Sequence, residues 1–92
     1  MTIRKTDYAD LLKEAILKLG DGQEARLERL FVKARGEEEI RFSWWCLNKN
    51  GVLGFANRPL DLNEDELFRL FKIAMTNGVL SENFRAKLKA IL

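Results

Sequence analysis

The alternation of apolar and polar residues is clearest from Glu39 to Asn57, where it predicts a β-hairpin with strands over 39–48 and 52–57. Asn50-Gly51 is the predicted turn, because a two-residue type I′ turn needs positive φ at both central residues. This turn pairs Lys49 with Val52 and divides the side chains between two faces. We expect the first face to form the core. Its members are Ile40, Phe42, Trp44, Cys46, Leu53 and Phe55.

The second face of the hairpin carries both polar and apolar residues, and it leaves two roles open for Trp45. Its members are Arg41, Ser43, Trp45, Leu47, Lys49, Val52, Gly54 and Ala56. Trp44 belongs to the core face, where a large apolar ring is normally buried. Trp45 either packs over the small residues Gly54 and Ala56 or contacts a partner, since tryptophan is enriched at binding sites.

The segment from Gln23 to Arg35 fits either a helix or a strand. We favour a strand over 26–35, because a lone hairpin is weak without a third strand or a helix against it. A three-residue loop at Gly36 to Glu38 then places Leu30 opposite Trp44. The same register places Arg29 opposite Trp45 and Lys33 opposite Arg41.

Helical spacing of apolar residues marks three further segments. The first predicts a helix over 6–19, with Thr6 or Asp7 as its N-cap and Gly20 as its end. Asn63 and Glu66 form the pattern of a capping box before a helix over 64–77. A last helix covers 82–91. The sequence therefore predicts one α+β domain over residues 1–92, of order α-β-β-β-α-α, in which helices pack on one face of a three-stranded antiparallel meander.

The residues that most enzymes use for catalysis are scarce. The chain has no histidine, which removes the commonest general base and both Cys–His and Ser–His pairs. The single Cys46 lies on the predicted core face, which favours a buried thiol over a nucleophile. No glycine-rich phosphate-binding loop is present. We therefore expect no catalytic residues and no enzymatic activity.

Acidic residues cluster at Asp61 and Glu64 to Glu66. They lack the alternating spacing of a calcium-binding loop, and carboxylates are common at helix N-termini for electrostatic reasons. With no Cys/His zinc pattern either, the sequence predicts no metal site and no cofactor.

Charge and hydropathy restrict the possible partners and the cellular compartment of the protein only slightly. The net charge is +2, and the excess lies in residues 23–60, which carry seven basic and five acidic side chains. This excess permits an anionic partner without requiring one. A lone cysteine suits a reducing compartment, and no apolar run approaches the roughly 20 residues that span a bilayer. We expect a cytoplasmic protein that binds no membrane.

Two functions fit these observations. The first is a protein-interaction module of the inhibitor, immunity-protein, antitoxin or adaptor type, which acts by covering the surface of another protein and can also self-associate as a homodimer. The second is a nucleic-acid-binding accessory protein that stacks a base on an aromatic ring between basic residues. The candidate partner-binding residues are the same for both: Arg29, Phe31, Lys33, Arg41 and Trp45.

Overall fold

Five antiparallel strands follow one another along the chain, and two helices come after them. The computed structural model describes residues 2–92, so Met1 of the predicted domain lies outside the described residues. The elements are β1 Arg4–Lys5, β2 Ala9–Gly20, β3 Gln23–Val32, β4 Glu37–Leu47, β5 Leu53–Ala56, α1 Glu64–Thr76 and α2 Glu82–Ile91. The strand order in the sheet is the order in the chain. The α+β class and the meander are confirmed, but the sheet has five strands rather than three.

The predicted helix over 6–19 is wrong, because this segment forms strand β2. The turn after it explains the difference. Asp21 and Gly22 both have positive φ, of 53° and 72°, and Gly20 pairs with Gln23 across them. This is the geometry of a type I′ hairpin, so Asp21-Gly22 joins two strands and does not follow a helix. Apolar residues at 11, 15 and 19 fit a helix, but alternate positions also fit a strand, and pairing with β3 decides between them.

The predicted register between β3 and β4 is also wrong. Trp44 lies opposite Ala25, not Leu30, which is an offset of five residues. The turn occupies residues 33–36, and the N–H of Gly36 donates to the carbonyl of Val32 at 2.9 Å. Because side chains alternate along a strand, an odd offset exchanges the faces of β3 relative to β4. Leu27 now shares a face with Phe42, and Arg29 lies opposite Ile40.

The turn between β4 and β5 is one residue longer than predicted. Leu47 pairs with Leu53, and Gly51 alone has positive φ, at 76°. The side-chain oxygen of Asn48 accepts hydrogen bonds from the N–H groups of Asn50 and Val52, at 2.8 and 3.0 Å. This side-chain turn favours a three-residue loop over the type I′ turn. Leu53 and Phe55 therefore lie on the face opposite Trp44, which corrects the predicted hairpin faces.

Helix α1 begins as predicted and covers only part of the sheet. Asn63 and Glu66 form the capping box, with hydrogen bonds of 2.8 and 3.0 Å. We call the side of the sheet that α1 covers the helical face. Its main core residues are Ala15, Leu17, Ala25, Leu27, Leu70, Ala74, Val79 and Leu80. The opposite side, which we call the polar face, carries a smaller apolar cluster of Ala9, Leu11, Leu30 and Val32.

One helix is too narrow to cover the whole helical face. Five strands about 4.8 Å apart span about 20 Å, whereas a helix with its side chains is about 10 Å wide. Helix α1 packs on β2 and β3, and β4 is left largely uncovered. Ile40 and Phe42, predicted to be core, are exposed, and Trp44 and Cys46 are half-buried. The guanidinium of Arg58, 4.3 Å from the centre of the Trp44 ring, supplies part of the cover.

Candidate interaction surfaces

The five residues predicted to bind a partner do not lie on one surface. Arg41 and Trp45 lie on the polar face, whereas Arg29 and Phe31 lie on the helical face. Arg29 donates from Nε to the carbonyl of Val79 at 2.7 Å. Lys33 lies at the turn beyond β3, where its Nζ donates to a backbone carbonyl. Their predicted arrangement is therefore wrong, and a role for any of them in binding a partner stays a prediction.

The polar face is built around Glu28, whose side chain is 0 % exposed. Its Oε1 accepts hydrogen bonds from Arg41 Nε at 3.1 Å and from Ser43 Oγ at 3.0 Å. The guanidinium of Arg4 lies 3.9 Å from Oε2. Burial of a carboxylate costs free energy unless charge and hydrogen bonds compensate it. Arg41 and Ser43 satisfy Oε1, whereas Oε2 accepts no hydrogen bond within residues 2–92 and has only the charge of Arg4 beside it. Sequence reasoning missed Glu28, because an acidic residue within an ambiguous segment gives no signal of burial.

Trp45 is part of the same arrangement and is half-buried. Its Nε1 donates to Ser43 Oγ at 3.0 Å. The guanidinium of Arg26 lies 4.1 Å from the ring centroid, and that of Arg4 lies 5.9 Å from it. Phe55 adds an edge-on contact with centroids 6.0 Å apart. The cation–π partner of Trp45 is therefore Arg26, not the predicted Arg29, and the ring already has neighbours within its own chain.

Glu24 lies beside these residues and holds Arg26 in place. Its Oε1 accepts two hydrogen bonds from Arg26, at 2.7 and 3.1 Å, and Lys18 Nζ lies 3.2 Å from Oε2. The Arg26 hydrogen bonds lower the pKa of Glu24 below its ordinary value, although burial acts in the opposite direction. Arg4, Arg26 and Arg41 thus each contact a carboxylate of the same face.

The lowered pKa of Glu24 predicts a pH-dependent contribution to stability. A carboxyl whose folded pKa lies below its unfolded value of about 4.5 stabilises the fold above that pH, and the contribution is lost as the pH falls through the folded pKa. We expect Glu24→Gln to lower the free energy of unfolding by about 1 kcal/mol at pH 7, and by less at pH 3. Urea unfolding at the two pH values measures this. An equal difference at both would contradict it.

The uncovered part of the helical face forms an apolar groove beside β4, with a volume of about 450 Å³. We call it the β4 groove. It is lined by Leu27, Arg29, Glu38, Glu39, Ile40, Phe42, Phe71, Leu80, Ser81 and Phe84. Phe42 on its floor is 51 % exposed and Phe84 at its side is 41 % exposed. This groove could not be predicted from the sequence, because alternation of apolar and polar residues indicates an apolar face without showing whether another element covers it.

Helix α2 is the second element with uncovered apolar side chains. Ser81 caps it by accepting a hydrogen bond from the N–H of Phe84 at 3.1 Å. Leu88, Ile91 and Leu92 follow at helical spacing, yet no residue of α2 is buried. Leu88 is half-buried and lines a cavity with Met75 of α1, whereas Ile91 and Leu92 are exposed.

The comparisons with known proteins add no functional information. No protein-family model, no curated protein and no solved structure matches this chain. Within residues 2–92, no helix is long and apolar enough to cross a membrane. The same residues contain no group of three acidic or cysteine side chains placed to hold a metal ion.

Proposed function

We propose that this protein is a non-enzymatic interaction module that acts by covering part of another protein, as inhibitors, immunity proteins, antitoxins and adaptors do. The β4 groove is its binding surface. The observation that supports this is the exposure of Ile40, Phe42 and Phe84 around one groove that continues into the core. A contiguous apolar floor with a charged rim is characteristic of protein interfaces.

The shape and charge of the groove favour an amphipathic helix as the bound element. The floor is apolar, and the start of β4 carries three consecutive glutamates at 37–39. Only Glu38 of the three lies on the helical face, and it pairs with Arg29 at 2.9 Å. The rim beside the floor therefore carries both signs of charge. A helix with an apolar stripe flanked by residues of both charges complements the floor and the rim.

The nucleic-acid alternative has weaker support. It relies on the polar face, where Trp45 offers a ring for stacking and Arg41 offers a positive charge. The Trp45 ring is already contacted by Arg26 and Phe55. Arg41 pairs with Glu28, which is buried and cannot move away without a large cost. Binding of a phosphate or a base there would have to compete with contacts that the fold already makes.

Site-specific photo-crosslinking tests the proposed surface. A benzophenone amino acid replaces Phe42 in one variant and Phe55 in a second, matched variant. Phe55 is 54 % exposed, close to the 51 % of Phe42, but lies on the opposite face of the sheet. Both variants should fold, because half-exposed residues contribute little to stability. We expect one defined protein adduct in cells from position 42 and none from position 55, with mass spectrometry as the readout.

Two results would overturn the proposal. One is the absence of any adduct from position 42, although the variant is folded and abundant in the cell. The other is the same adduct from position 55 alone, which would move the binding surface to the polar face. That second result would favour the residues around Trp45.

A further inference from the structure

The two edges of the sheet differ in how the chain covers them. At the β2 edge, β1 pairs with Asp10 and Leu11, and Asn77 Nδ2 donates to the carbonyl of Glu14 at 3.0 Å. At the other edge, β5 pairs only with the last four residues of β4. Residues 37–43 of β4 therefore have β3 on one side and, in the described part of the chain, no strand on the other. We call this segment the open edge.

The direction of the backbone groups along the open edge follows from the turn after β4. The N–H of Asn48 donates to the carbonyl of Val52 at 2.9 Å, so it points towards β5. The backbone groups of successive residues alternate between the two sides of a strand. The N–H and C=O groups of Glu38, Ile40 and Phe42 therefore point to the same side, and no backbone group of the described chain pairs with them there.

The open edge also lacks the features by which sheets usually block the addition of a strand. It contains no proline and no lysine, and its register with β3 runs without a bulge. Ile40 and Phe42 are 39 % and 51 % exposed, so solvent reaches the segment from the helical face. A flat, accessible row of unpaired backbone groups is a template for another strand.

The sequence of the open edge is complementary to itself. Glu39 and Arg41 flank Ile40, and both lie on the polar face. In an antiparallel pair of two copies with Ile40 on the twofold axis, Glu39 of each copy lies opposite Arg41 of the other. Both side chains retain free capacity. Arg41 contacts Glu28 through Nε alone, and Glu39 contacts Arg35 through Oε2 alone.

Other positions of the twofold axis are less favourable. An axis at any residue from Glu37 to Glu39 places glutamates directly opposite each other, and an axis at Arg41 does the same with two arginines. Like charges directly opposite are destabilising. An axis at Phe42 requires backbone groups of β4 that already pair with β5. Only the axis at Ile40 pairs opposite charges and uses backbone groups that are free.

We infer that β4 of a second copy of this chain pairs with the open edge, antiparallel and with Ile40 on the twofold axis. The interface is isologous, and the two five-stranded sheets join into one continuous sheet. The inference goes beyond the proposed function, because it uses the backbone edge of β4 and leaves the β4 groove of each copy open.

Sedimentation equilibrium of the full chain tests the dimer and its ion pairs. The mass is expected to rise from 10.7 kDa towards twice that value as the concentration increases. Glu39→Lys creates two pairs of opposed cations, and we expect it to raise the dimer dissociation constant at least about tenfold. Glu37→Lys is the matched control. It changes the net charge equally, on the same face and beside the same Arg35, but it opposes no charge across the axis, so its constant should stay close to that of the unaltered chain.

Thiol crosslinking tests the register, with Cys46→Ser in every variant so that one cysteine remains. Across the axis, the Cα atoms at position 40 lie about 5.5 Å apart, whereas those at position 42 lie about 14 Å apart. A bis-methanethiosulfonate reagent with a one-carbon bridge should therefore link Ile40→Cys with itself and should not link Phe42→Cys with itself. A mixture of Phe42→Cys with Glu38→Cys should form the mixed adduct, because these two positions lie opposite each other.

Three results would overturn the inference. The first is a constant mass of 10.7 kDa at every concentration. The second is a self-adduct of Phe42→Cys as abundant as that of Ile40→Cys, and the third is an equal loss of affinity in Glu39→Lys and Glu37→Lys. The proposed function fails separately, since a monomer that crosslinks from position 42 to a different protein would leave it intact.

Discussion

Replacing Glu28 with alanine is expected to lower the free energy of unfolding by about 2 kcal/mol. The variant leaves Arg41 and Ser43 without their shared acceptor, and it opens a space in a position that is 0 % exposed. The side chains of Arg41 and Arg4 are 37 % and 45 % exposed and stay solvated, so the cost comes from the cavity and from the buried hydroxyl of Ser43, which loses its acceptor. Equilibrium unfolding in urea, followed by tryptophan fluorescence, measures the change.

Two control variants test whether the loss of stability is specific to the buried carboxylate of Glu28. Glu28→Gln keeps the shape of the side chain and an acceptor oxygen, so its cost should be smaller than that of alanine. Glu38→Ala removes a carboxylate that pairs with Arg29 at 2.9 Å but is half-exposed, and exposed pairs contribute about 0.5 kcal/mol. If Glu28→Ala and Glu38→Ala cost the same, Glu28 does not hold the polar face together.

The second large effect is expected for Leu70→Ala, at about 3 kcal/mol. Leu70 is fully buried on α1 and contributes to the main core with Leu27 and Ala15. Its truncation leaves a cavity between α1 and the sheet, and the midpoint of thermal unfolding should fall by roughly 15 °C. Leu67→Ala is the matched control on the same helix. Leu67 is 40 % exposed, so its loss should cost less than about 1 kcal/mol. Similar midpoints for both variants would contradict this account of the core.

The elements with strong local signals could be predicted from the sequence. Helix α1 has a capping box at Asn63 and Glu66, and α2 has the cap Ser81, so both helices were predicted within one residue. Strand β4 was predicted from its alternation. Strand β2 was not, because its leucines and alanines satisfy both the helical and the strand period. The signal that identifies it is Asp21-Gly22, whose type I′ geometry joins two strands.

Which residues meet at the candidate site depends on the register of the strands, and that register depends on the lengths of two turns. The length of each turn differs from the predicted length by an odd number of residues. Each difference exchanges the two faces on which the side chains of a whole strand lie. That is why Arg29 and Trp45 do not meet, while Arg26 and Trp45 do. Turn lengths are set by local contacts such as the side chain of Asn48, which residue type alone does not reveal. The exposure of Phe42 is a tertiary property, because it depends on where a single helix lies.

The order of the strands also affects how the protein is made. Because neighbours in the sheet are neighbours in the chain, each strand can add to the previous one by closing a short loop, which has a small entropic cost. Helix α1, which buries the part of the helical face on β2 and β3, is synthesised only after all five strands. Leu17, Leu27 and their neighbours therefore stay exposed on a growing chain until residues 64–76 emerge.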